Sequence, residues 1–232
     1  MTIKAVLFDL DNTLVDFVGM KKRASRSAAY AMVAAGLEED AESLSSELFD
    51  FYLGYWIEAD DAFEKFLLKK YGRTDIRVLA AGVNAYLKEK YLCLRAYPGV
   101  KETLEVLKRQ GLKMAVVSDG MRLKAWMRLN EAGIDGFFDC VVTFDDTGRK
   151  KPSSEPFRKA VEELGVSPGE CLFVGDWPDR DIAGAKELGM KTALAVYGCI
   201  TDKNGTKADY EIEDVREILD IIKKERNRKE KD

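Results

Sequence analysis

Ile3-Lys4-Ala5-Val6-Leu7-Phe8-Asp9-Leu10-Asp11-Asn12-Thr13-Leu14 is an apolar run that stops abruptly in two carboxylates and a hydroxyl. Ala5 to Phe8 suit a strand buried on both faces, as in a parallel sheet covered by helices. Asp9 then stands at the carboxyl end of the strand, where open α/β sheets place their ligands. Asp9, Asp11 and Thr13 alternate, so an extended chain would send their side chains to one side. Two carboxylates that close repel unless a cation lies between them, and the spacing therefore asks for a metal.

Working outward, the rhythm changes after Thr13. From about Phe17 to Tyr91 apolar residues recur at helical spacing with no strand among them, which predicts an all-helical insertion. Met20, Ala24, Ala28, Ala31 and Ala35 mark a first helix that Gly36 stops. Leu44, Leu48, Phe51, Tyr52 and Tyr55 mark a second. Phe63, Phe66 and Leu67 mark a third ending near Gly72, and Leu79, Val83, Tyr86 and Leu87 a fourth. The aromatic residues of this bundle read first as its core.

From Tyr97-Pro98-Gly99 onward helix and strand alternate, which argues for βαβ units and a parallel sheet. Strands are predicted at Leu112 to Val117, Cys140 to Phe144, Cys171 to Val174 and Lys191 to Val196. Helices are predicted around Val100–Leu107, Leu123–Ala132, up to Leu164, Ala183–Leu188 and Glu213–Ile222, with a fraying mixed-charge end from Lys223. Polar residues follow three of the strands: Asp9 and Asp11, Ser118, and Asp176. Loops after strands are commonly polar, so one such aspartate alone would mean little.

Composition narrows the function. A chain of 232 residues, 46% apolar, can bury a substantial core, enough for one domain with an insertion or two small domains. No run of about eighteen apolar residues and no signal-peptide pattern occurs, so a soluble, cytoplasmic protein without membrane attachment is expected. The net charge of −4 and the dispersed basic residues give no footprint for nucleic acid. Cys93, Cys140, Cys171 and Cys199 are scattered without a CxxC pair and read as buried thiols rather than zinc ligands or disulfides. Histidine is absent, which removes Ser-His-Asp and Cys-His catalysis, histidine-ligated zinc and imidazole acid–base chemistry in one step. Carboxylates and lysines must do the chemistry. Charged residues at 34% with a single glutamine, Gln110, are similar to the compositional bias of thermophilic proteins. Nothing in the sequence speaks to oligomeric state.

Four motifs in order make the chain resemble the haloacid dehalogenase superfamily, in the branch with a helical cap after the first strand. They are Asp9-Leu10-Asp11-Asn12-Thr13, Ser118 at a strand end, Lys151-Pro152, and Gly175-Asp176 followed by Asp181. The resemblance implies an α/β, Rossmann-like parallel-sheet core from residues 1–16 plus 96–232, with a four-helix cap at 17–95. By resemblance, Asp9 is the nucleophile that forms an aspartyl phosphate, and Asp11 is the general acid and base, with a pKa above that of a free aspartate. Mg2+ would be held by Asp9, the Asp11 carbonyl and Asp176, with Asp181 supporting from behind. The phosphoryl group would meet Asp9, Leu10, Thr13, Ser118, Asp119, Gly120 and Lys151, the last supplying positive charge.

The implied activity is hydrolysis of a small phosphorylated metabolite. The presence of Asp11 argues against dehalogenation. A phosphomutase, a phosphonatase using Lys21 or Lys22, and a non-catalytic phospholigand-binding protein stay open as alternatives. Asp16, Phe17, Lys21, Lys22, Tyr55 and Trp56 are the candidate contacts for substrate choice. A calcium loop is a rival for Asp9 to Thr13, but the positions an EF-hand reserves for glycine and glutamate hold Leu14 and Met20. Trp177 and Arg180 depart from the usual residues of the fourth motif, and Ser153-Ser154-Glu155-Pro156 from those after the third. An exposed Trp177 would suit a partner site, and a packed one a contact with the cap.

Overall fold

A computed structural model describes residues 2–55, 59–201 and 207–229. The chain divides into two compact units, Met1–Asp16 with Arg95–Asp232, and Phe17–Leu94.

The first unit is built on a six-stranded, all-parallel sheet. In chain order it holds β1 (Ala5–Phe8), then, beyond the helical unit, α5 (Val100–Arg109), β2 (Lys113–Val117), α6 (Arg122–Glu131), β3 (Cys140–Val142), α7 (Phe144–Thr147) and α8 (Ser154–Leu164). It closes with β4 (Cys171–Gly175), α9 (Ala183–Glu187), β5 (Lys191–Ala195), β6 (Tyr210–Ile212) and α10 (Glu217–Lys229). The strand order β3-β2-β1-β4-β5-β6 puts β1 at the centre, in register with Val116 and Val174 at Phe8. All four residues of β1 are buried, as helices on both faces require. Under one face Ala5, Leu7, Ala115, Val117 and Phe173 form a cluster with Phe157, Ala160 and Leu164 of α8. Phe157 meets Phe173 edge-on at 4.9 Å between ring centres.

The second unit holds α1 (Phe17–Ala34), α2 (Ala41–Tyr55), α3 (Ala62–Tyr71) and α4 (Ile76–Cys93). Small residues on α1, Ala24, Ala28 and Ala29, share its core with the rings of Tyr52, Phe63 and Tyr86. Gly72 ends α3 with φ 70°, and Asp75 caps α4 by accepting from the amides of Arg77 (2.8 Å) and Val78 (3.3 Å). Tyr55, read as core, is instead exposed, with its ring stacked on Phe51.

Several expectations about elements need correction. The third strand ends at Val142, not Phe144, because a capping box between Thr143 and Asp146 starts the one-turn α7. β6 was not expected: its three residues acquire strand geometry from pairing on β5, anchored where Asp209 accepts from Thr192 N and Oγ1, both at 2.9 Å. The last helix begins at Glu217 rather than Glu213, since Glu217 Oε1 accepts from the amides of Glu213 and Asp214, both at 2.9 Å. Residues 223–229, expected to fray, belong to that helix, where Glu225 is buried and accepts from Tyr210 Oη. Of the four cysteines only Cys171 is fully buried. Among the described residues no helix is long and apolar enough to cross a membrane.

Candidate active site

Because β1 lies between β2 and β4 in parallel, three carboxyl ends stand side by side. Asp9, Ser118 and Asp176 are the first residues beyond them. Asp9 N donates to Val174 O at 2.9 Å and Ser118 N to Val142 O at 2.9 Å, so these two candidate residues leave their strands still tied to the neighbouring one. The chain does not stay extended after Asp9. Asn12 has φ 61°, a conformation asparagine tolerates better than most residues, and Leu10 O accepts from the amides of Leu14 (2.9 Å) and Val15 (3.1 Å). The alternation expected of Asp9, Asp11 and Thr13 is therefore replaced by a tight turn. Thr13 Oγ1 nonetheless points back to Asp9 Oδ2, at 3.4 Å.

Lys151 is buried at the centre. A lysine ammonium has three N–H donors, and three acceptors face this one: Asp9 Oδ1, Val117 O at 2.9 Å and Asp181 Oδ1 at 2.7 Å. Burial alone would disfavour the ammonium, but the Asp181 and Asp9 carboxylates outweigh it and hold the pKa above the usual lysine range. The Lys151 amide donates to Asp119 Oδ1 at 2.9 Å, and the following peptide bond to Pro152 is cis. Ser118 Oγ accepts from Gly120 N at 3.1 Å. Asp119 Oδ2 accepts from Arg180, whose guanidinium lies 4.6 Å from the centre of the Trp177 ring. Asp119 thus joins three loops, and the Trp177 ring carries the arginine that reaches it.

Asp181 lies on a single π-turn, Pro178–Ile182, and accepts from Trp177 N at 3.0 Å. Its approach requires glycine at the end of β4: a β-carbon on Gly175 would sit 2.5 Å from Asp181 Cβ.

Asp9, Asp176 and Asp181 each offer a carboxylate oxygen within 4.8 Å of the others, and all three are buried. Burial first, then the neighbouring aspartates, pushes the carboxyls of Asp9 and Asp176 above the carboxylate range, with Lys151 opposing. Three buried carboxylates against one ammonium leave negative charge that a hard, oxygen-seeking divalent cation would neutralise. The donor set fits Mg2+.

Three residues of this neighbourhood escape sequence reading. Arg128, on the buried stripe Ala125-Arg128-Leu129 of α6, donates from Nη1 to Asp11 Oδ2 at 2.7 Å. A charged residue on the buried face of an amphipathic helix is the signal that would have found it. Tyr197 Oη donates to Thr13 O at 2.7 Å, and Gly198 lies so close to Asn12 O that a β-carbon there would strike it. No sequence pattern marks that pair.

Of the remaining candidates, Leu10 is fully buried, so its main chain is what it offers, and Asp16 is half-buried with its amide on Arg95 O at 3.1 Å. Phe17, Lys21, Lys22 and Tyr55 belong to the helical unit. Lys21 is buried with Nζ 4.4 Å from the Tyr52 ring centre and 5.1 Å from that of Tyr86, and Lys22 is exposed. Trp56 lies outside the described residues.

A family model described as haloacid dehalogenase-like hydrolase matches residues 3–189. The chain is 36% identical over 226 residues to a glyceraldehyde 3-phosphate phosphatase of Methanocaldococcus jannaschii, covering 95% of this chain and 97% of that one. It is 34% identical over 198 residues to a phosphoglycolate phosphatase of Aquifex aeolicus, covering 85% and 87%. Among solved structures, a HAD phosphatase from Thermococcus onnurineus superposes with a TM-score of 0.67 at 28% identity, covering 95% of this chain and 98% of that one.

Proposed function

The chain belongs to the haloacid dehalogenase-like hydrolases, and from that premise we propose that it is a Mg2+-dependent phosphatase acting on a small phosphorylated metabolite through an aspartyl-phosphate intermediate. The observation that carries this reading is the buried group at the strand ends, where a carboxylate, Asp9, lies against Lys151 and two further acids. A carboxylate nucleophile needs no activating base, which suits a protein without histidine.

In the first step an Asp9 oxygen attacks phosphorus, the bond from phosphorus to the leaving oxygen breaks, and Asp11 gives its proton to that oxygen. In the second, water attacks the phosphorus, Asp11 takes the proton, and Asp9 and inorganic phosphate are released. Lys151 supplies fixed positive charge beside Asp9 throughout, and Ser118 Oγ with the amides of the Asp119-Gly120 turn orients the phosphoryl oxygens. Asp9, the Asp11 carbonyl and Asp176 would hold Mg2+, with Asp181 orienting Lys151. The ion would supply charge for the phosphoryl oxygens. Hydrolysis is favoured over transfer because the relatives bear phosphatase names, and two of those names specify two- and three-carbon phosphates. Short-chain phosphates of that kind are the proposed substrates, with the helical unit as the cap that sets the choice among them.

Release of phosphate from an aryl phosphate, with and without Mg2+, in the parent and in Asp9→Asn tests the reading, followed by a panel of short-chain phosphates. Metal-dependent turnover that disappears in Asp9→Asn is expected. Near-parent turnover in that variant would remove the nucleophile. Mg2+ should also raise the parent Tm, as any ligand of the native state does, and raise it less in Asp176→Asn.

A further inference from the structure

The Arg128 guanidinium is buried, with its residue 6% exposed, and stands on the same helix face as Ala125 and Leu129. Placing a guanidinium there is costly unless a specific group requires it. Its Nη1 lies 2.7 Å from Asp11 Oδ2. It also passes beside the Ser118–Gly120 loop: a β-carbon built on Gly120 would be 3.3 Å from Arg128 Nη1 and 3.3 Å from Ser118 Oγ. The absence of a side chain at residue 120 thus leaves room for both groups.

The Asp11 side chain, by contrast, is 26% exposed and stands at the entry to the turn at Asn12, beyond the end of the β1 ladder. Its backbone does not by itself select one rotamer. A charge-assisted bond from a planar, buried arginine does, because the guanidinium directs its N–H groups in a fixed plane.

We propose that Arg128 is a positioning residue that fixes the Asp11 side chain, which as the acid gives a proton to the leaving oxygen and as the carboxylate takes one from water. The inference rests on the phosphatase reading, in which Asp11 carries those protons. Its consequence is specific to the leaving group. An alkoxide needs a proton as it departs, whereas a nitrophenolate leaves without one, so misplacing Asp11 should harm the first kind of substrate far more.

The test compares kcat/KM, which reports steps up to formation of the phosphoenzyme, for p-nitrophenyl phosphate and for an alkyl phosphate such as glycerol phosphate. In Arg128→Gln a loss of roughly 30-fold is expected with the alkyl phosphate and of less than about threefold with the aryl one, a fraction of the full contribution of a general acid. Arg128→Lys should recover part of the loss. In an Asp11→Asn background the further change Arg128→Gln should cost less than about threefold, since a residue acting through another is silent once that one is gone. Equal losses on both substrates, or the same factor lost with and without Asp11, would overturn the proposal and assign Arg128 to general folding or direct phosphate binding. Circular dichroism and Tm of each variant separate loss of fold from loss of position. Should the parent and Asp9→Asn prove equally inactive on every phosphate, the phosphatase reading fails by that comparison alone. A crystal structure of Arg128→Gln then decides the positioning claim, which an unmoved Asp11 side chain would refute.

Discussion

Gly198 and Gly82, one in each unit, are both seated where a β-carbon would collide, and they differ in what it would hit. At Gly198 the obstacle is the carbonyl oxygen and carbon of Asn12, main chain in the turn that follows Asp9. At Gly82, inside α4, it is the Met32 side chain of α1. Neither glycine has a left-handed φ, so in both places the requirement is space and not backbone conformation. A methionine with three rotatable bonds can move aside; a peptide unit in a turn closed by the Asn12 N–Val15 O and Leu14 N–Leu10 O hydrogen bonds has far less freedom. Close approach in the helical unit is thus a matter of packing, whereas in the α/β unit it fixes where the Asp9–Thr13 turn lies. The geometry of the candidate site depends on the second kind of contact.

Of the substitutions that probe these contacts, Gly198→Ala should therefore have the largest effect. The new methyl group must push Asn12 and with it Asp11, and displacements of about 1 Å at reacting groups cost on the order of 100-fold in rate. A fall in kcat/KM of about that size is expected, with destabilisation of about 1–3 kcal/mol from overpacking. Steady-state kinetics beside thermal melts would check it, and unchanged kinetics in a well-folded variant would mean that the turn is not set from this side.

Tyr197→Phe sharpens the same contrast by removing a brace without adding bulk. Burial holds the Tyr197 phenol above its usual pKa, so it stays a donor, and its bond to Thr13 O is 2.7 Å long. Its ring, edge-on to Tyr97 at 4.9 Å, would stay in place in the variant. Leaving a carbonyl without its donor costs about 1–3 kcal/mol. The expected outcome is a lower Tm with a several-fold loss of kcat/KM, clearly smaller than that of Gly198→Ala. A loss as large would show that the hydrogen bond, and not the close contact, holds the turn.

How far these features were legible in the sequence depends on the range of the interactions behind them. The boundary at Phe8-Asp9 was readable because a strand buried on both faces must be continuously apolar up to its end. Gly72 could be placed because a helix stop is a local event. That Lys151 belongs with Asp9 and Asp181 was not in the periodicity at all, and came only through the likeness of four motifs to a known family. Extending the strand alternation through Thr13 failed because the pattern of residue types does not reveal that Asn12 turns the chain. β6 escaped because three residues become a strand only by pairing with β5. Tyr197 and Gly198 carry no sequence signal, and Arg128 only that of a charge on a buried helix face, for a related reason. Their significance lies in contacts with residues more than a hundred positions away, and a single sequence records no such pairing.

Gly82→Ala closes the comparison at its small end, where two opposing effects of similar size meet. Alanine in place of glycine inside a helix is favourable by about 0.5–1 kcal/mol, because the unfolded chain loses freedom and the helix gains a better former. Against this, Met32 Cγ and Sδ would lie 2.8 Å and 3.2 Å from the new β-carbon and its terminal methyl closer still, so the side chain must leave its rotamer in a core it shares with Leu44, Leu48 and Tyr86. Such repacking costs about 1–3 kcal/mol, less where a flexible thioether yields. The net expectation is destabilisation of about 1 kcal/mol, read as a Tm lower by about 2–4 °C for a chain of this size. Turnover of the aryl phosphate should stay within about twofold of the parent, since no residue of the Asp9 turn moves. A Tm loss as large as that of Gly198→Ala would mean that Met32 is as fixed as a main chain. The distinction between yielding and unyielding neighbours would then fail as the account of why one glycine governs the site and the other only the packing of two helices.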